Sequence, residues 1–131
     1  MSIRIVQLGS ERRPAEGLRI GTVRRPPRGV PKAEFAKRNY YDTWLPLLSP
    51  SPELMKKGQQ AQSGANASAW AAFARGFRAQ MKRPEAAHAL DLLAALSHQT
   101  NLSLGCYCQD EQRCHRSILR ELLAERKAEL V

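Results

Sequence analysis

The sequence predicts an α/β protein with a small, mostly parallel sheet covered by helices, and three observations lead to this prediction. Two short β-type runs open the chain, helical repeats fill its middle, and a third apolar run leads through a polar loop into a last helix. Strands and helices in this order form layers of the Rossmann or flavodoxin type. In such folds the ligand site lies beyond the carboxyl ends of the strands.

The first third of the chain predicts two strands joined by loops. β-Type residues over 3–8 form the first strand and those over 18–23 the second, with the polar, proline-containing stretch 11–16 between them. In residues 24–31, three prolines and a glycine exclude regular structure. This stiff loop, called the arginine loop below, carries Arg24, Arg25 and Arg28.

The next part of the chain predicts a core cover and a helix start. Residues 32–38 allow a short helix, and the aromatic and aliphatic residues of 40–48 form a cluster that caps the core. Ser51 as N-cap and Pro52 at the first helical position predict a helix. Residues 58–66, rich in Gln, Gly, Ser and Ala, predict a mobile stretch.

Two further helices, a strand and a last helix follow. Asn66 or Ser68 can cap the first of these helices, and Pro84 opens the second. Residues 102–106 form the third strand, and a helical pattern resumes over 118–123. Apolar residues at helical spacing mark the buried face of the first helix: Trp70, Phe73, Ala74, Phe77 and Met81.

Basic residues are concentrated near the beginning of the chain. The formal net charge is +9, and residues 1–38 supply +7 of it from ten Lys and Arg against three Asp and Glu. This imbalance favours anionic partners such as phosphates, nucleotides or nucleic acid. No stretch has the pattern of a membrane span or a signal peptide, so we expect no membrane partner, one domain over 1–131 and a cytoplasmic location. Nothing in the sequence indicates an oligomeric state.

All three cysteines lie within eleven residues, 106–116, together with a histidine and two arginines. This cysteine segment joins the third strand to the last helix, so its thiols lie near the backbone N–H groups of a helix N-terminus. Such groups attract anions and lower the pKa of a thiol. In a reducing cytoplasm, clustered cysteines favour catalysis, redox chemistry or metal binding over structural disulfides. We therefore expect the functional site in this segment.

The first interpretation of the cysteine segment is the anion-binding site of a thiol-dependent enzyme. Arg116, in the first helical turn, and the three arginines of the arginine loop would hold a phosphate-like or sulfate-like group. Cys108 or Cys114 would be the nucleophile, because the thiolate is the reactive form of cysteine. The spacing differs from that of a cysteine phosphatase loop, since the arginine follows Cys108 by eight positions.

The second interpretation is a metal site. Four side chains of the right chemistry for tetrahedral zinc, or three thiolates for an iron cluster, lie in the segment: Cys106, Cys108, Cys114 and His115. Cys106 and Cys108 face one side of a strand, whereas adjacent residues on a helix diverge by about 100°. A four-ligand cage from this segment alone is therefore strained, and we expect fewer protein ligands.

Two further alternatives use the thiols without a metal. Cys108 and Cys114 could form a redox-active pair if the loop folds back within disulfide reach. Equally, Cys106 could be a small buried strand residue, and Cys114 could pack beneath the last helix.

A nucleic-acid-binding module is the rival class of function. Three aromatic residues near basic ones could stack on bases, Tyr40, Tyr41 and Trp44. A cavity that joins the arginine loop to the cysteine segment would indicate a site for a small anion, whereas a broad exposed basic face would indicate nucleic acid.

Four blocks of the sequence match the pattern of one known family. They are the strand and arginine loop over 17–32, the Trp-Leu and Pro-Ser-Pro-Glu-Leu elements over 44–54, the aromatic helix over 73–81, and the Cys-His-Arg ending of the cysteine segment. With these blocks, residues 17–123 resemble the YeaO-like family, a domain of unknown function numbered 488. The resemblance implies an α/β fold and marks as matched positions Arg24, Arg28, Cys106, Cys114 and Arg116.

Two positions differ from the family pattern. Val23 stands where relatives tend to carry an aspartate, and Cys108 stands where many carry a glutamate. The first difference removes a carboxylate from the expected site. The second adds a third sulfur, which favours metal binding or redox chemistry.

Overall fold

Four strands form one parallel sheet in a computed structural model of the protein, which describes residues 1–63 and 67–131. The strands are β1 (Ile3–Gln7), β2 (Leu18–Gly21), β3 (Thr43–Trp44) and β4 (Leu102–Cys106). The α-helices of the described part are α1 (Pro52–Ser63), α2 (Ala67–Met81), α3 (Pro84–Leu96) and α4 (His115–Glu125). The predicted α/β class with a parallel sheet is therefore confirmed. Among the described residues no helix is both long enough and apolar enough to cross a membrane.

Strand β4 lies inside the sheet, between β1 and β2, and every one of its residues is buried. A parallel strand covered on both faces needs such a continuous small and apolar sequence. The register pairs Cys106 with Gln7 of β1, and Gly105 with Gly21 of β2. The carboxyl ends of the three strands therefore lie at one edge of the sheet, which is where the arginine loop and the cysteine segment begin.

The hydrophobic core follows the apolar stripes of the helices. Phe73, Phe77 and Met81 of α2 are buried, as the helical spacing predicts. Trp70 packs partly buried against the same cluster and stacks on Phe73 at a ring distance of 5.2 Å. Helices α3 and α4 add their own buried faces: Ala86, Leu90, Leu93, Ala94, Ile118, Leu119, Leu122 and Leu123.

The segment between β2 and α1 differs from its prediction. Residues 32–34 form a single 3-10 turn in place of the expected helix, and a second such turn spans Pro46–Leu48. Between them, the two-residue strand β3 joins the sheet as its edge. Strand β2 also ends at Gly21 rather than at residue 23. A Cβ at Gly21 would lie 2.4 Å from the ring of Tyr41, so this close approach requires glycine.

Helix α1 begins as predicted and continues further than predicted. The Oγ of Ser51 accepts a hydrogen bond from the N–H of Leu54 at 3.3 Å. Residues 58–63 of the stretch predicted to be mobile belong to α1, and their mobility stays a prediction. At Gly58 the helix backbone lies close to the ring of Phe73, so the glycine serves helix packing rather than flexibility. The remainder of that stretch lies outside the described residues.

The structure describes one of the two residues predicted to cap α2. Ser68 lies inside the helix, which begins at Ala67. Asn66 lies outside the described residues.

A buried ion pair that the sequence did not predict holds the loop 11–16 against β2. Arg19 donates from Nε and Nη2 to the carboxylate of Glu16, at 2.6 and 3.0 Å, and both side chains are buried. Arg19 also donates to the carbonyls of Ser10 and Asn39. Burial alone would raise the pKa of Glu16. The hydrogen bonds from Arg19 and from the amide of Arg13 together outweigh burial, so the pKa lies below its ordinary value.

Candidate functional site

A cavity of about 680 Å³ lies at the carboxyl edge of the sheet. The arginine loop, which follows β2, forms one side of it, and the cysteine segment, which follows β4, forms another. Helices α1 and α2 contribute further lining residues. Two loops that are about eighty residues apart in the sequence thus meet as expected for parallel strands. We call this space the cysteine–arginine cavity.

The charged lining of the cysteine–arginine cavity is entirely basic. Its charged side chains in the described part of the chain are Arg24, Arg25, Arg28, Lys56 and Arg113, with no Asp or Glu among the lining residues. Arg24 is held in place because its guanidinium donates to the carbonyls of Ser49 and Pro50, at 3.3 and 3.0 Å. Arg25 and Arg28 are exposed to solvent. Positive charge without a compensating carboxylate favours an anion.

The remaining walls of the cysteine–arginine cavity are largely apolar. Tyr40 and Tyr107 meet edge to face with ring centroids 6.3 Å apart. The hydroxyl of Tyr107 donates to the carbonyl of Arg25 at 2.8 Å, so this ring is tied to the arginine loop. Other apolar lining residues are Pro26, Pro27, Pro50, Pro52, Met55 and Phe73.

Two sulfur atoms and one imidazole ring lie close together in the cavity wall. The Sγ atoms of Cys106 and Cys114 are 3.3 Å apart, and Nδ1 of His115 is 3.6 Å from the Sγ of Cys114. These three side chains are buried, whereas Cys108 is half-buried. All three cysteines are free thiols. Cys106 and Cys114 are buried, as a packing role predicts. Both also line the cavity, as a functional role predicts.

His115 is oriented by the end of β2. Its Nε2 is 2.7 Å from the carbonyl oxygen of Thr22, which can only accept, so the proton lies on Nε2. Its Nδ1 is therefore an acceptor and faces the sulfur of Cys114. Burial lowers the pKa of His115 to about 4, so the imidazole is neutral at pH 7. Phe77 packs against the ring at 5.5 Å.

The thiols of Cys106 and Cys114 differ in acidity. Hydrogen bonds from Cys106 and Cys108 lower the pKa of Cys114, and hydrogen bonds with Cys108 and Cys114 raise the pKa of Cys106. Cys114 is the N-cap of α4, and although its sulfur makes no well-aligned capping hydrogen bond, the nearby amide of Arg116 lowers its pKa further. Cys114 is thus the member of this pair that carries negative charge.

Arg116 lies behind the cysteine segment rather than in the cavity wall. Its two terminal nitrogens donate to the carbonyls of Val6 and Cys108, each at 2.6 Å, and its Nε is buried with no partner among the described residues. The side chain thereby ties the end of β1 to the cysteine segment. The role of Arg116 as an anion ligand stays a prediction, and these contacts use one N–H of each terminal nitrogen.

The cluster could hold a metal ion. The ligand atoms of Cys106, Cys114 and His115 all lie within 4.8 Å of one another, while Cys108 is not part of this close group. The expected divergence of Cys114 and His115 does not arise. Cys114 precedes the helix in an extended conformation, with φ −127° and ψ 151°, so the two side chains turn towards each other.

The predicted aromatic platform for nucleic-acid bases is not formed. Tyr41 is buried, and Tyr40 lines the cysteine–arginine cavity. Trp44 is exposed at the sheet edge, where its Nε1 donates to the carbonyl of Val23 at 2.7 Å.

Several residues of the site were missed by the sequence interpretation. Thr22 and Tyr107 lie next to predicted features, and their positions directly after β2 and β4 are the signal that could have identified them. Lys56 and Phe73 reach the cavity only because α1 and α2 dock there, which no local pattern indicates.

A comparison with protein-family models gives a match over most of the chain. The family model named DUF488-N3a, described as the active DUF488-N3 subclade, matches residues 3–127. Neither the curated proteins nor the solved structures contain a significant match.

Proposed function

Because the chain belongs to the DUF488 family, whose function is unknown, we propose a function from its cavity: it binds a small organic anion there and acts on it with its cysteines. A cytoplasmic location fits this proposal, since its free thiols stay reduced there. The observation that carries the proposal is a cavity lining with basic residues and no Asp or Glu beside the sulfur cluster.

Arg25 and Arg28 are the proposed anion ligands. Both are exposed at the cavity, and neither forms an ion pair within the described chain that an incoming anion would have to break. A guanidinium can bind a phosphate or carboxylate through two parallel hydrogen bonds. Arg24 is held by carbonyl groups and contributes positive charge from a fixed position.

Cys114 is the proposed nucleophile, and it would attack as the thiolate, the form that its lowered pKa favours. The sulfur would form a bond to an electrophilic atom of the bound anion, the bond from that atom to the leaving group would break, and the leaving group would keep the electron pair and take a proton from water. The neutral imidazole of His115, which the Thr22 carbonyl holds in place, borders the sulfur. Cys108 borders the same space and is the second candidate nucleophile.

Alkylation with iodoacetate and iodoacetamide tests this proposal. The two reagents react with the same thiols, but only iodoacetate is an anion. We expect iodoacetate to modify Cys114 faster, relative to iodoacetamide, than it modifies free cysteine, and salt to reduce the difference. Peptide mapping by mass spectrometry would separate Cys114 from Cys108.

Charge-matched variants locate the effect. Arg28→Ala should bring the ratio of the two rates towards that of free cysteine. Arg75→Ala removes the same charge from an exposed helix position that does not line the cavity, and should leave the ratio unchanged. Equal ratios for the wild-type protein and free cysteine would refute the proposal.

A metal centre is the second candidate function, and the ligand geometry favours it. Tetrahedral zinc with bonds of about 2.3 Å to sulfur and 2.0–2.1 Å to nitrogen separates a sulfur from a nitrogen ligand by about 3.6 Å and two sulfur ligands by about 3.8 Å. The observed Sγ–Nδ1 separation of 3.6 Å matches the first value, and the Sγ–Sγ separation of 3.3 Å is shorter than the second by about 0.5 Å. A histidine ligand also commonly donates its other ring N–H to a carbonyl, as His115 does to Thr22.

Elemental analysis decides between the two candidates, because a metal ion would occupy Cys114. The metal centre requires one equivalent of zinc or iron in purified protein, lost in His115→Gln and retained in His88→Gln. His88 lies in α3 and does not line the cavity. Protein without stoichiometric metal that is still alkylated at Cys114 leaves the thiol proposal standing alone.

A nucleic-acid partner is the third alternative, and the geometry favours it least. The basic side chains described above surround a cavity, and the aromatic residues do not share an exposed face. Binding to single-stranded oligonucleotides with a steep dependence on salt would support a nucleic-acid partner.

A further inference from the structure

The cysteine–arginine cavity is much larger than its anion-binding groups require. Its volume of about 680 Å³ falls in the range of sites that enclose drug-sized ligands, about 300–1,000 Å³. A bare phosphate or sulfate would fill a small part of it. The ligand that matches this cavity therefore carries a body in addition to its charge.

The walls indicate the chemistry of that body. Four prolines, Met55 and Phe73 offer carbon surface and few hydrogen-bonding groups. Proline has no N–H, and its ring is rigid, so these walls are poorly suited to a hydroxyl-rich sugar chain. Flat apolar rings fit such surfaces, since they bury a large area with little loss of conformational freedom.

Tyr107 brings ring recognition and charge recognition together. Its hydroxyl donates to the carbonyl of Arg25, at 2.8 Å, and its ring meets Tyr40. The aromatic surface is thereby tied to the residue whose guanidinium is a proposed anion ligand. A ligand whose ring lies on this surface would have its anionic group within the same loop.

Building on the proposed function, we infer that the ligand of this cavity is a phosphomonoester with an aromatic ring next to its phosphate. The ring packs on Tyr107 and the apolar wall, and the phosphate binds Arg25 and Arg28. An apolar wall that is only the exposed edge of the core would instead give no preference for a ring.

The test compares methyl phosphate with phenyl phosphate by isothermal titration calorimetry. The two esters carry the same phosphate and differ by the ring. We expect phenyl phosphate to bind the wild-type protein about tenfold more tightly, as stacking on an aromatic side chain allows. Equal affinities for the two esters would overturn the inference.

Variants separate this inference from the proposed function. Tyr107→Leu should remove the preference for phenyl over methyl phosphate, whereas Tyr107→Phe keeps the ring and should keep the preference. Both variants lose the hydroxyl that donates to the Arg25 carbonyl, so any weakening of methyl phosphate binding should be the same in the two. Arg28→Ala should weaken both esters by a similar factor. Circular dichroism checks that each variant is folded, and the wild-type comparison decides the inference even if a variant does not fold.

A failure of the ring inference can be distinguished from a failure of the proposed function. If both esters bind equally and both depend on Arg28, the ring inference falls and the anion site stands. If neither ester binds and alkylation shows no preference for iodoacetate, the proposed function falls with it.

Discussion

At the scale of single residues, the extended backbone of Cys114 creates the cluster of sulfur atoms and imidazole. Cys114 and His115 are neighbours in sequence, and in a helix their side chains would point about 100° apart. The extended backbone of Cys114 instead lets the imidazole turn back to its sulfur. The Thr22 carbonyl then fixes which ring nitrogen faces the sulfur. A pair of adjacent residues thus acquires a geometry that usually needs residues from distant parts of a chain.

Arg116 illustrates how contacts within the protein bear on a predicted ligand role. Its position beside the cysteines indicates an anion ligand, and that role stays a prediction. Its guanidinium donates to two carbonyl groups of different segments, those of Val6 and Cys108. The same donor geometry that suits a phosphate also suits two backbone carbonyls, and sequence does not distinguish the two uses.

Replacing Arg116 should therefore affect stability. Arg116→Ala leaves two carbonyls without their donors, so we expect a loss of about 1–3 kcal/mol in the free energy of unfolding. Arg116→Lys, with one ammonium group, should restore part of this loss. Urea denaturation measures the loss, and faster alkylation of Cys108 would report the loosened segment. Unchanged stability combined with weaker phosphate binding would instead support the anion-ligand role.

At the scale of elements, the site follows from the order of strands. Both β2 and β4 run parallel and are adjacent, so the loops that follow them must emerge at one edge. This much could be predicted, because the apolar run 102–106 and the β-type run 18–23 were recognisable. Helices α2, α3 and α4 were equally recognisable from their apolar spacing.

Other elements could not be predicted because their stability comes from tertiary contacts. Strand β3 has two residues and exists only by pairing with β2. The second half of α1 has a loop-like composition, yet its Gly58 allows close packing on Phe73. The contributions of Lys56 and Phe73 to the cavity depend on that docking. The cavity residues on the two loops were therefore predictable, and those on α1 and α2 were not.

The ion pair between Glu16 and Arg19 gives the loop 11–16 a dependence on pH. The pKa of Glu16 in the folded protein lies below its ordinary value of 4.5, so the unfolded chain binds the proton more readily. The stability that this carboxylate contributes is thus complete well above pH 4.5 and is lost as pH falls through the folded pKa. Below that range Arg19 is left buried without its partner charge.

Replacing Glu16 with a neutral residue should strongly destabilise the folded protein. Glu16→Gln leaves the guanidinium of Arg19 buried without a counter-charge, so we expect a loss of about 3–5 kcal/mol at pH 7. The difference from the wild-type protein should shrink as the wild type is taken below pH 4.5. Glu11→Gln, at an exposed position of the same loop, is the control. A constant difference between pH 7 and pH 3, measured by urea denaturation, would contradict this account.

At the scale of the whole molecule, contacts join parts of the chain that are distant in sequence. The amide of Ile3 in β1 donates to the carbonyl of Glu129, and the amide of Val131 donates to the carbonyl of Ile3. Strand β4, from the last third, pairs with both strands of the first third. Helix α2 packs on α1, α3 and α4. These contacts between distant parts of the sequence support folding as one unit.

A chain that folds as one unit should unfold in one transition, and its two tryptophans allow a direct check. Trp44 lies on strand β3 at the sheet edge, and Trp70 lies on α2 among the helices. In Trp44→Phe only Trp70 fluoresces, and in Trp70→Phe only Trp44 does. Within each variant, the midpoint from fluorescence should coincide with that from far-ultraviolet circular dichroism during urea unfolding.

The comparison is made within each variant because the substitutions themselves change stability. Loss of the Trp44 hydrogen bond to Val23 should lower the midpoint of Trp44→Phe by both probes together, through a loss of about 1 kcal/mol. Separate midpoints for the sheet edge and the helical layer would mean that the two parts unfold independently. The cavity would then lie between two units, since its lining comes from the loops after β2 and β4 and from α1 and α2. A coincident transition makes the cavity a property of one folded unit, so that ligand binding should raise both midpoints equally.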